Sequence, residues 1–186
     1  MKKVFYYVML PFILTVSFGF IAISEGKKDL KCTSFEIVKK FPGKHILSLN
    51  DLDKETRYYF KSTFPNNNPG IVESDLNGDG NRDYSILLRD NNSSTTKLLI
   101  FFCLKNLSLK KMYELDVTSL NDIVFLNIVN KDTFISQTEA IDIKNEHLLS
   151  KKLIHDGVKL TYFGKAEIVL FWNDKLKKIE TIQTSD

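Results

Sequence analysis

A short acidic segment constrains this chain more than any other feature. From Asp75 to Asp83 the sequence is Asp-Leu-Asn-Gly-Asp-Gly-Asn-Arg-Asp, with oxygen-bearing side chains at every second position and Gly80 at the sixth. Calcium takes about six to eight oxygen ligands, and a chain wraps around it only where glycine permits a sharp turn. The pattern predicts a calcium loop. The predicted ligands are the side chains of Asp75, Asn77, Asp79 and Asp83 and the main-chain carbonyl of Asn81, with water completing the shell and Glu73 as an outside candidate.

The residues that follow the loop distinguish it from other calcium motifs. An EF-hand supplies a bidentate glutamate at position 12, where this chain has Ile86 in an apolar stretch. Dockerin loops also have an acid there, continue into a helix and occur in pairs. The loop instead resembles those of FG-GAP and VCBS-type repeats, in which an apolar strand such as residues 84–88 follows directly. The resemblance covers about residues 71–90. Only one copy is present, so it does not imply a propeller.

The loop could also fold without an ion. Asn, Asp and Gly also form ordinary Asx-turns without any ion, although five alternating oxygens with Gly80 disfavour that hypothesis. If an ion is bound, it neutralises carboxylates that would otherwise repel one another. A loop placed between two strands leaves few open coordination positions, so we expect the calcium to be structural.

The N-terminus has the pattern of a secretory signal. Lys2 and Lys3 precede an uncharged, mostly apolar run from Val4 to Ile23, with small residues at Ala22 and Ser24. We predict a signal peptide over residues 1–24, and an uncleaved membrane anchor is the alternative because the run is long enough to span a bilayer. The protein is therefore expected to be periplasmic or secreted, or else anchored by this segment. Cys32 lacks the preceding small apolar residues of a lipidation site.

Composition predicts one globular domain over residues 25–186. The chain is 43% hydrophobic and 26% charged, as ordinary globular proteins are. Residues 1–24 contain two lysines and no acid, so their removal lowers the formal net charge from +3 to +1. The lysines are scattered among acids, which argues against a nucleic-acid partner. Export would permit a Cys32–Cys103 disulfide, while Cys103 is equally consistent with a small core residue, and the sequence leaves both open.

The pattern of apolar residues predicts an α+β, strand-dominated fold: an antiparallel meander sheet with one N-terminal helix and the calcium loop between two strands. The helix is predicted from Asn50 to Phe64, with Asn50 or Asp51 as N-cap. Ser34 to Val38 has a weak strand pattern. Further strands are predicted over residues 71–74, 84–89, 97–104, 109–117, 123–129, 139–143, 158–163, 166–172 and 177–182, with a hairpin turn at Asn173-Asp174.

No enzyme motif is present around the three histidines, His45, His147 and His155. Each is interpreted as a surface or turn residue. The aromatic residues of the C-terminal hairpin, among them Phe171 and Trp172, fit a sheet core better than an exposed binding face. We predict no catalytic residue.

The predicted function is an exported calcium-binding protein, a binding or accessory module of the cell envelope whose partner is a protein or glycan. It contacts a membrane only if the N-terminal segment stays uncleaved. The signal, single loop and C-terminal hairpin also resemble small exported bacterial proteins, a resemblance that carries no activity. The alternative is a small exported hydrolase stabilised by calcium. A cleft with two converging carboxylates of shifted pKa, or His155 facing such a carboxylate, would favour it.

Overall fold

The computed structural model describes residues 32–120, 122–138 and 150–186. The predicted signal segment, the predicted strand over residues 139–143 and His147 lie outside these ranges. No helix among the described residues combines the length and the apolar character needed to cross a membrane.

The described chain is dominated by strands, as predicted, and each pairing among them is antiparallel. Two short 3-10 turns lie at Leu49–Asp51 and Thr118–Leu120. The helices are α1 (Ser34–Val38) and α2 (Lys54–Thr63); the strands are β1 (Lys44–Ile46), β2 (Ile71–Ser74), β3 (Asp83–Asp90), β4 (Thr96–Cys103), β5 (Leu109–Asp116), β6 (Val124–Val129), β7 (Phe134–Ser136), β8 (Ser150–Lys152), β9 (Gly157–Tyr162), β10 (Ala166–Asn173) and β11 (Lys178–Ser185).

The first sheet has the order β1-β3-β4-β5, and β2 also pairs with β3. Strands β1 and β2 lie end to end along one edge of β3, and helix α2 is inserted between them in sequence. Leu87 joins their ends, because its N–H donates to the Gly70 carbonyl and its carbonyl accepts from the Leu47 N–H, both at 2.8 Å. A Cβ atom on Gly70 would lie 2.1 Å from the Leu47 carbonyl oxygen, so this junction requires glycine.

The second sheet has the order β11-β10-β9-β6. The predicted hairpin at Asn173-Asp174 is confirmed, since Asn173 pairs with Lys178 where β10 turns into β11. Strands β7 and β8 form a separate two-stranded sheet. Strands β7 and β8 were not predicted from the sequence, because each is three residues long, too short for a period-two pattern to show.

The two larger sheets face each other across the main core. Alternate residues of β4, namely Leu98, Ile100 and Phe102, point into it. They meet residues of the second sheet such as Leu126 and Leu160. The edges of the sheets also approach, because β2 contacts β6 and β5 contacts β11. Helix α2 adds Phe60, whose ring centroid is 5.1 Å from that of Phe125. This arrangement is a β-sandwich with α2 at its border.

Each sheet is also covered on its outer face. Helix α1 places Ile37 in a second cluster with Ile86 and Phe101 of the first sheet. The β7–β8 hairpin contributes Ile135 to a third cluster that includes Phe171 of the second sheet. Because both of its faces are covered, β3 is buried along six consecutive residues, where a one-sided strand would alternate.

Two local predictions were wrong. Ser34 to Val38 is helical, because Thr33 acts as N-cap and its hydroxyl accepts a hydrogen bond from the Glu36 N–H at 3.3 Å. Helix α2 begins after Asp53, whose Oδ1 accepts from the Glu55 N–H at 2.8 Å and from the Thr56 N–H at 2.9 Å. The residues proposed as its cap lie instead in the preceding 3-10 turn, which Ser48 caps.

A disulfide joins Cys32 to Cys103, an alternative that the sequence left open. The two Cα atoms are 5.8 Å apart and the cysteines are separated by 71 positions in sequence. The bridge fastens the start of the described chain to the last residue of β4. Cys103 is also buried, so it serves both as a core residue and as a bridge partner.

Candidate metal site

The acidic segment connects two paired strands, as predicted. It leaves β2 after Ser74 and enters β3 at Asp83, and these two residues pair across the strands. Gly78 and Gly80 have positive φ values of 74° and 84°, which L-residues with a side chain rarely adopt. The sharp turn expected at Gly80 is therefore present.

The side chains of the loop accept hydrogen bonds from its own main chain. The Asp75 carboxylate accepts from the Asp79 N–H at 3.1 Å through Oδ1 and from the Gly80 N–H at 2.9 Å through Oδ2. Asn77 Oδ1 also accepts from the Asp79 N–H, at 2.9 Å, and Asp79 Oδ1 accepts from the Asn81 N–H at 2.8 Å. These bonds fold the loop around the side chain of its first residue.

Asp83 is the fully buried member of the predicted ligand set, with no exposed surface. Its Oδ1 accepts from the Cys103 N–H at 2.9 Å and its Oδ2 accepts from the Leu76 N–H at 3.1 Å. Burial, together with the smaller effect of the charges of Asp79 and Asp75, raises the pKa of this carboxyl to about 7, although the two hydrogen bonds oppose the shift. Asp83 is therefore a buried carboxyl group that forms no ion pair with any of the described residues.

Glu73, the outside candidate, pairs with a cation of the chain. Its Oε2 lies 3.1 Å from Nη1 of Arg82, and the side chains of both residues are exposed. The Asn77 side-chain amide donates to Asp79 Oδ2 at 3.3 Å, which draws the third and fifth residues of the loop together. Hydrogen bonds within the loop thus connect Asp75, Asn77 and Asp79 to one another, whereas Asp83 accepts from the Leu76 and Cys103 N–H groups.

The donor set fits a hard cation by its chemistry. All the predicted ligands present oxygen atoms, and three of them are aspartates. One of the three, Asp83, is buried, so water does not solvate its charge. Within the described residues, no three His, Cys, Asp or Glu side chains form a group arranged to hold a metal ion. Oxygen ligands, their spacing in the sequence and the buried carboxyl of Asp83 are the features that favour a cation here.

The second sheet supports the loop through His155. A Cβ atom on Gly78 would lie 2.3 Å from Cε1 and 2.4 Å from Nδ1 of His155, so the imidazole lies directly against the loop backbone. Nε2 of His155 lies 2.8 Å from Oδ2 of Asp174, and Oδ1 of Asp174 accepts from the Trp172 indole N–H at 3.1 Å. His155 lies in the bend before β9, in agreement with its prediction as a surface or turn residue, and its side chain is 19% exposed.

Asp156, next along the chain, forms a second connection between the sheets. It accepts a hydrogen bond from the hydroxyl of Ser74, the last residue of β2. Its other oxygen accepts from the Lys131 N–H at 2.8 Å, just after β6. The start of the acidic loop is thereby fixed to the second sheet.

His45 and the aromatic residues of the C-terminal hairpin contact other residues of the fold. His45 lies between Asn91, with 2.6 Å from Nδ1 to Oδ1, and the Asp51 carboxylate, 3.2 Å from Nε2. Phe171 is buried, and Trp172 contacts Phe102 edge-on with ring centroids 5.1 Å apart. The core interpretation of these hairpin aromatics is confirmed.

At the level of class, the chain is a strand-dominated antiparallel β protein with a disulfide and an acidic hairpin loop. No family model matches it, and the comparisons with curated proteins and with solved structures likewise find nothing similar. The resemblance to FG-GAP and VCBS-type loops consequently rests on about residues 71–90 of the sequence.

Proposed function

We propose that this chain is an exported calcium-binding protein, in which a structural calcium ion stabilises a binding or accessory module of the cell envelope. The observation that carries the proposal is Asp83, a carboxylate without exposed surface whose charge interacts with those of Asp79 and Asp75. Grouping like charges around a buried one is unfavourable, and a bound cation would relieve the repulsion without the uptake of a proton by Asp83. The partner of such a module would be a protein or a glycan.

The side chains of Asp75, Asn77, Asp79 and Asp83 and the carbonyl of Asn81 would hold the ion. When bound, calcium supplies positive charge among three carboxylates. The chain's own contribution is to orient these oxygens. The positive φ of Gly80 turns the chain, and the Leu76 and Cys103 N–H groups fix the two oxygens of Asp83.

Export is supported by two independent features. The first is the basic and apolar segment at residues 1–24, which has the layout of a secretory signal. The second is the Cys32–Cys103 disulfide, because such bridges form and persist in oxidising compartments. Together they favour a periplasmic or extracellular location.

A structural role for the ion is favoured by how firmly the loop is held. Ser74 at its start is hydrogen-bonded to Asp156, and Gly78 in its middle lies against His155. Asp83 at its end is hydrogen-bonded to β4 through Cys103. Segments that move on ligand binding usually have few such contacts. Calcium would therefore stabilise the junction of the two sheets.

One observation favours the hydrolase alternative. The His155–Asp174 pair lines a cavity of about 410 Å³ that also contacts Leu153, Phe171 and Trp172. A catalytic pair needs a nucleophile or substrate at the second ring nitrogen. Among the described residues no hydroxyl or thiol is hydrogen-bonded to Nδ1, which lies against Gly78. The pair fits a support for the loop better than a catalytic dyad.

The test is a thermal melt of the purified protein with calcium and with chelator, together with a calorimetric titration with calcium. Calcium at about one hundred times its dissociation constant should raise the free energy of unfolding by about 2.7 kcal/mol. For a domain of this size we expect a rise in Tm of about 5 to 10 °C. Asp79→Ala should reduce both affinity and stabilisation. Glu55→Ala, which removes an exposed carboxylate from α2, should change neither.

The outcomes separate the parts of the proposal. Calcium binding with no rise in Tm would exclude a structural ion. No binding at all would reduce the loop to a set of Asx-turns and overturn the proposal.

A further inference from the structure

The disulfide and the acidic loop meet at one hydrogen bond. Asp83 is the first residue of β3 and Cys103 is the last of β4, and the main-chain pairing of these strands ends at Tyr84 and Phe101. Cys103 thus extends past the paired part of β3. Its N–H donates instead to Oδ1 of Asp83 at 2.9 Å, in a buried environment.

The other half of the bridge is fixed to the same strand. The Tyr84 hydroxyl donates to the main-chain carbonyl of Cys32 at 2.9 Å. Consecutive residues of β3 therefore contact both cysteines, Asp83 through its carboxylate and Tyr84 through its hydroxyl. The main-chain N–H of Cys103 thus orients the Asp83 carboxylate, and the Tyr84 hydroxyl fixes the main chain of Cys32.

We propose that the Cys32–Cys103 disulfide controls the calcium affinity of the loop. The oxidised protein binds calcium more tightly than the reduced protein, and bound calcium in turn favours the disulfide. The inference rests on the proposed calcium site and names its regulation. On this proposal the loop reaches its full calcium affinity only after the bridge has formed.

The redox step is an ordinary thiol–disulfide exchange. A dithiol reductant gives two electrons and two protons to the Cys32–Cys103 bond, which becomes two thiols, and the reductant becomes a cyclic disulfide. Cys103 then keeps its pairing with Leu109 of β5, but its covalent link to Cys32 is lost. The N–H that orients Asp83 is less constrained, so the ligand oxygens need more ordering when the ion binds.

Linkage makes the effect reciprocal. If oxidation raises calcium affinity by some factor, saturating calcium must favour the oxidised form over the reduced form by the same factor. Couplings between sites in proteins are commonly about 5- to 150-fold. We expect calcium affinity to change about tenfold, because only one of the predicted ligands, Asp83, is hydrogen-bonded to Cys103.

The first measurement compares calcium affinity in the two redox forms. Calcium is titrated calorimetrically into the oxidised protein and into protein held reduced by dithiothreitol, with circular dichroism recording the fold of each. The dissociation constant should rise about tenfold on reduction. Equal constants in two folded forms would overturn the proposed control by the disulfide.

The second measurement remains decisive if the reduced chain unfolds. The protein is equilibrated with mixtures of reduced and oxidised dithiothreitol, and free thiols are counted by alkylation. Saturating calcium should raise by about tenfold the ratio of reduced to oxidised dithiothreitol at which half of the protein is reduced. Asp79→Ala, which lacks one ligand of the loop, serves as the control and should show a smaller shift.

The two proposals fail in different ways. If the oxidised protein binds no calcium, the proposed function itself is wrong. If the oxidised protein binds calcium but the half-reduction ratio is the same with and without the ion, the calcium site stands and the control by the disulfide is overturned.

Discussion

A carboxylate with no exposed surface is costly in a folded protein unless something compensates its charge. Asp83 accepts two main-chain hydrogen bonds, and its pKa is still raised to about 7 by burial and by the neighbouring aspartates. The sequence predicted Asp83 as a calcium ligand from spacing alone. Its burial and its bond to Cys103 depend on where β4 ends, which no local pattern contains.

Asp83 should make the calcium-free protein less stable as pH rises from 5 to 8. The usual pKa of an aspartic acid is 3.8, so between that value and about 7 the folded state binds a proton that the unfolded state has lost. Stability is therefore highest at the acidic end of this window and falls until Asp83 is fully ionised. The expected loss is about 2 kcal/mol, measured by urea unfolding with chelator.

The control for this pH dependence is Asp83→Asn, which removes the titrating group. Its absolute stability is expected to differ from wild type, so the comparison concerns the slope with pH. The slope left in Asp83→Asn reports all other groups, and the difference from wild type reports Asp83. Identical slopes in the two proteins would contradict an ionisation of Asp83 near neutral pH.

At the scale of elements, the strands of four or more residues were predictable, whereas the three-residue strands and the short helix α1 were not. Strands β2 to β6 and β9 to β11 lie within a few residues of their predicted bounds, because apolar runs between turn residues indicate them. Helix α1 was mistaken for a strand, since a segment of five residues has no resolvable period and the capping hydroxyl of Thr33 decides its structure. Packing of Ile37 against the first sheet also stabilises this helix.

The start of α2 provides a test at this scale. Asp53→Ala removes the carboxylate that accepts from the Glu55 and Thr56 N–H groups, so it should destabilise the protein by about 1 kcal/mol. Asn50→Ala changes the residue that the sequence suggested as cap and should have a clearly smaller effect. Urea unfolding of both variants measures the two free energies. A larger loss for Asn50→Ala would show that the helix begins earlier than Asp53.

At the scale of the whole molecule, the acidic loop lies where the two sheets meet. Gly78 belongs to the connection between β2 and β3, and His155 precedes β9 of the other sheet. A Cβ atom at Gly78 would lie 2.3 Å from Cε1 of His155, so only glycine fits against the imidazole here. Asp174 holds the imidazole in this position. The turn was predictable from the local sequence, but its partner His155 was not, because it lies 77 positions further along the chain.

Gly78→Ala should consequently destabilise the protein beyond the effect of backbone strain. Gly43 is the matched control, because its φ of 78° is close to the 74° of Gly78 but a Cβ there meets nothing within 4 Å. Gly43→Ala should cost about 1 kcal/mol, the strain of a left-handed residue. Gly78→Ala should cost roughly 1 to 3 kcal/mol more, because the imidazole must shift. The comparison is made by urea unfolding in chelator, which removes any effect on calcium binding. Equal losses would mean that His155 yields freely, and that the loop is not fixed to the second sheet at this point.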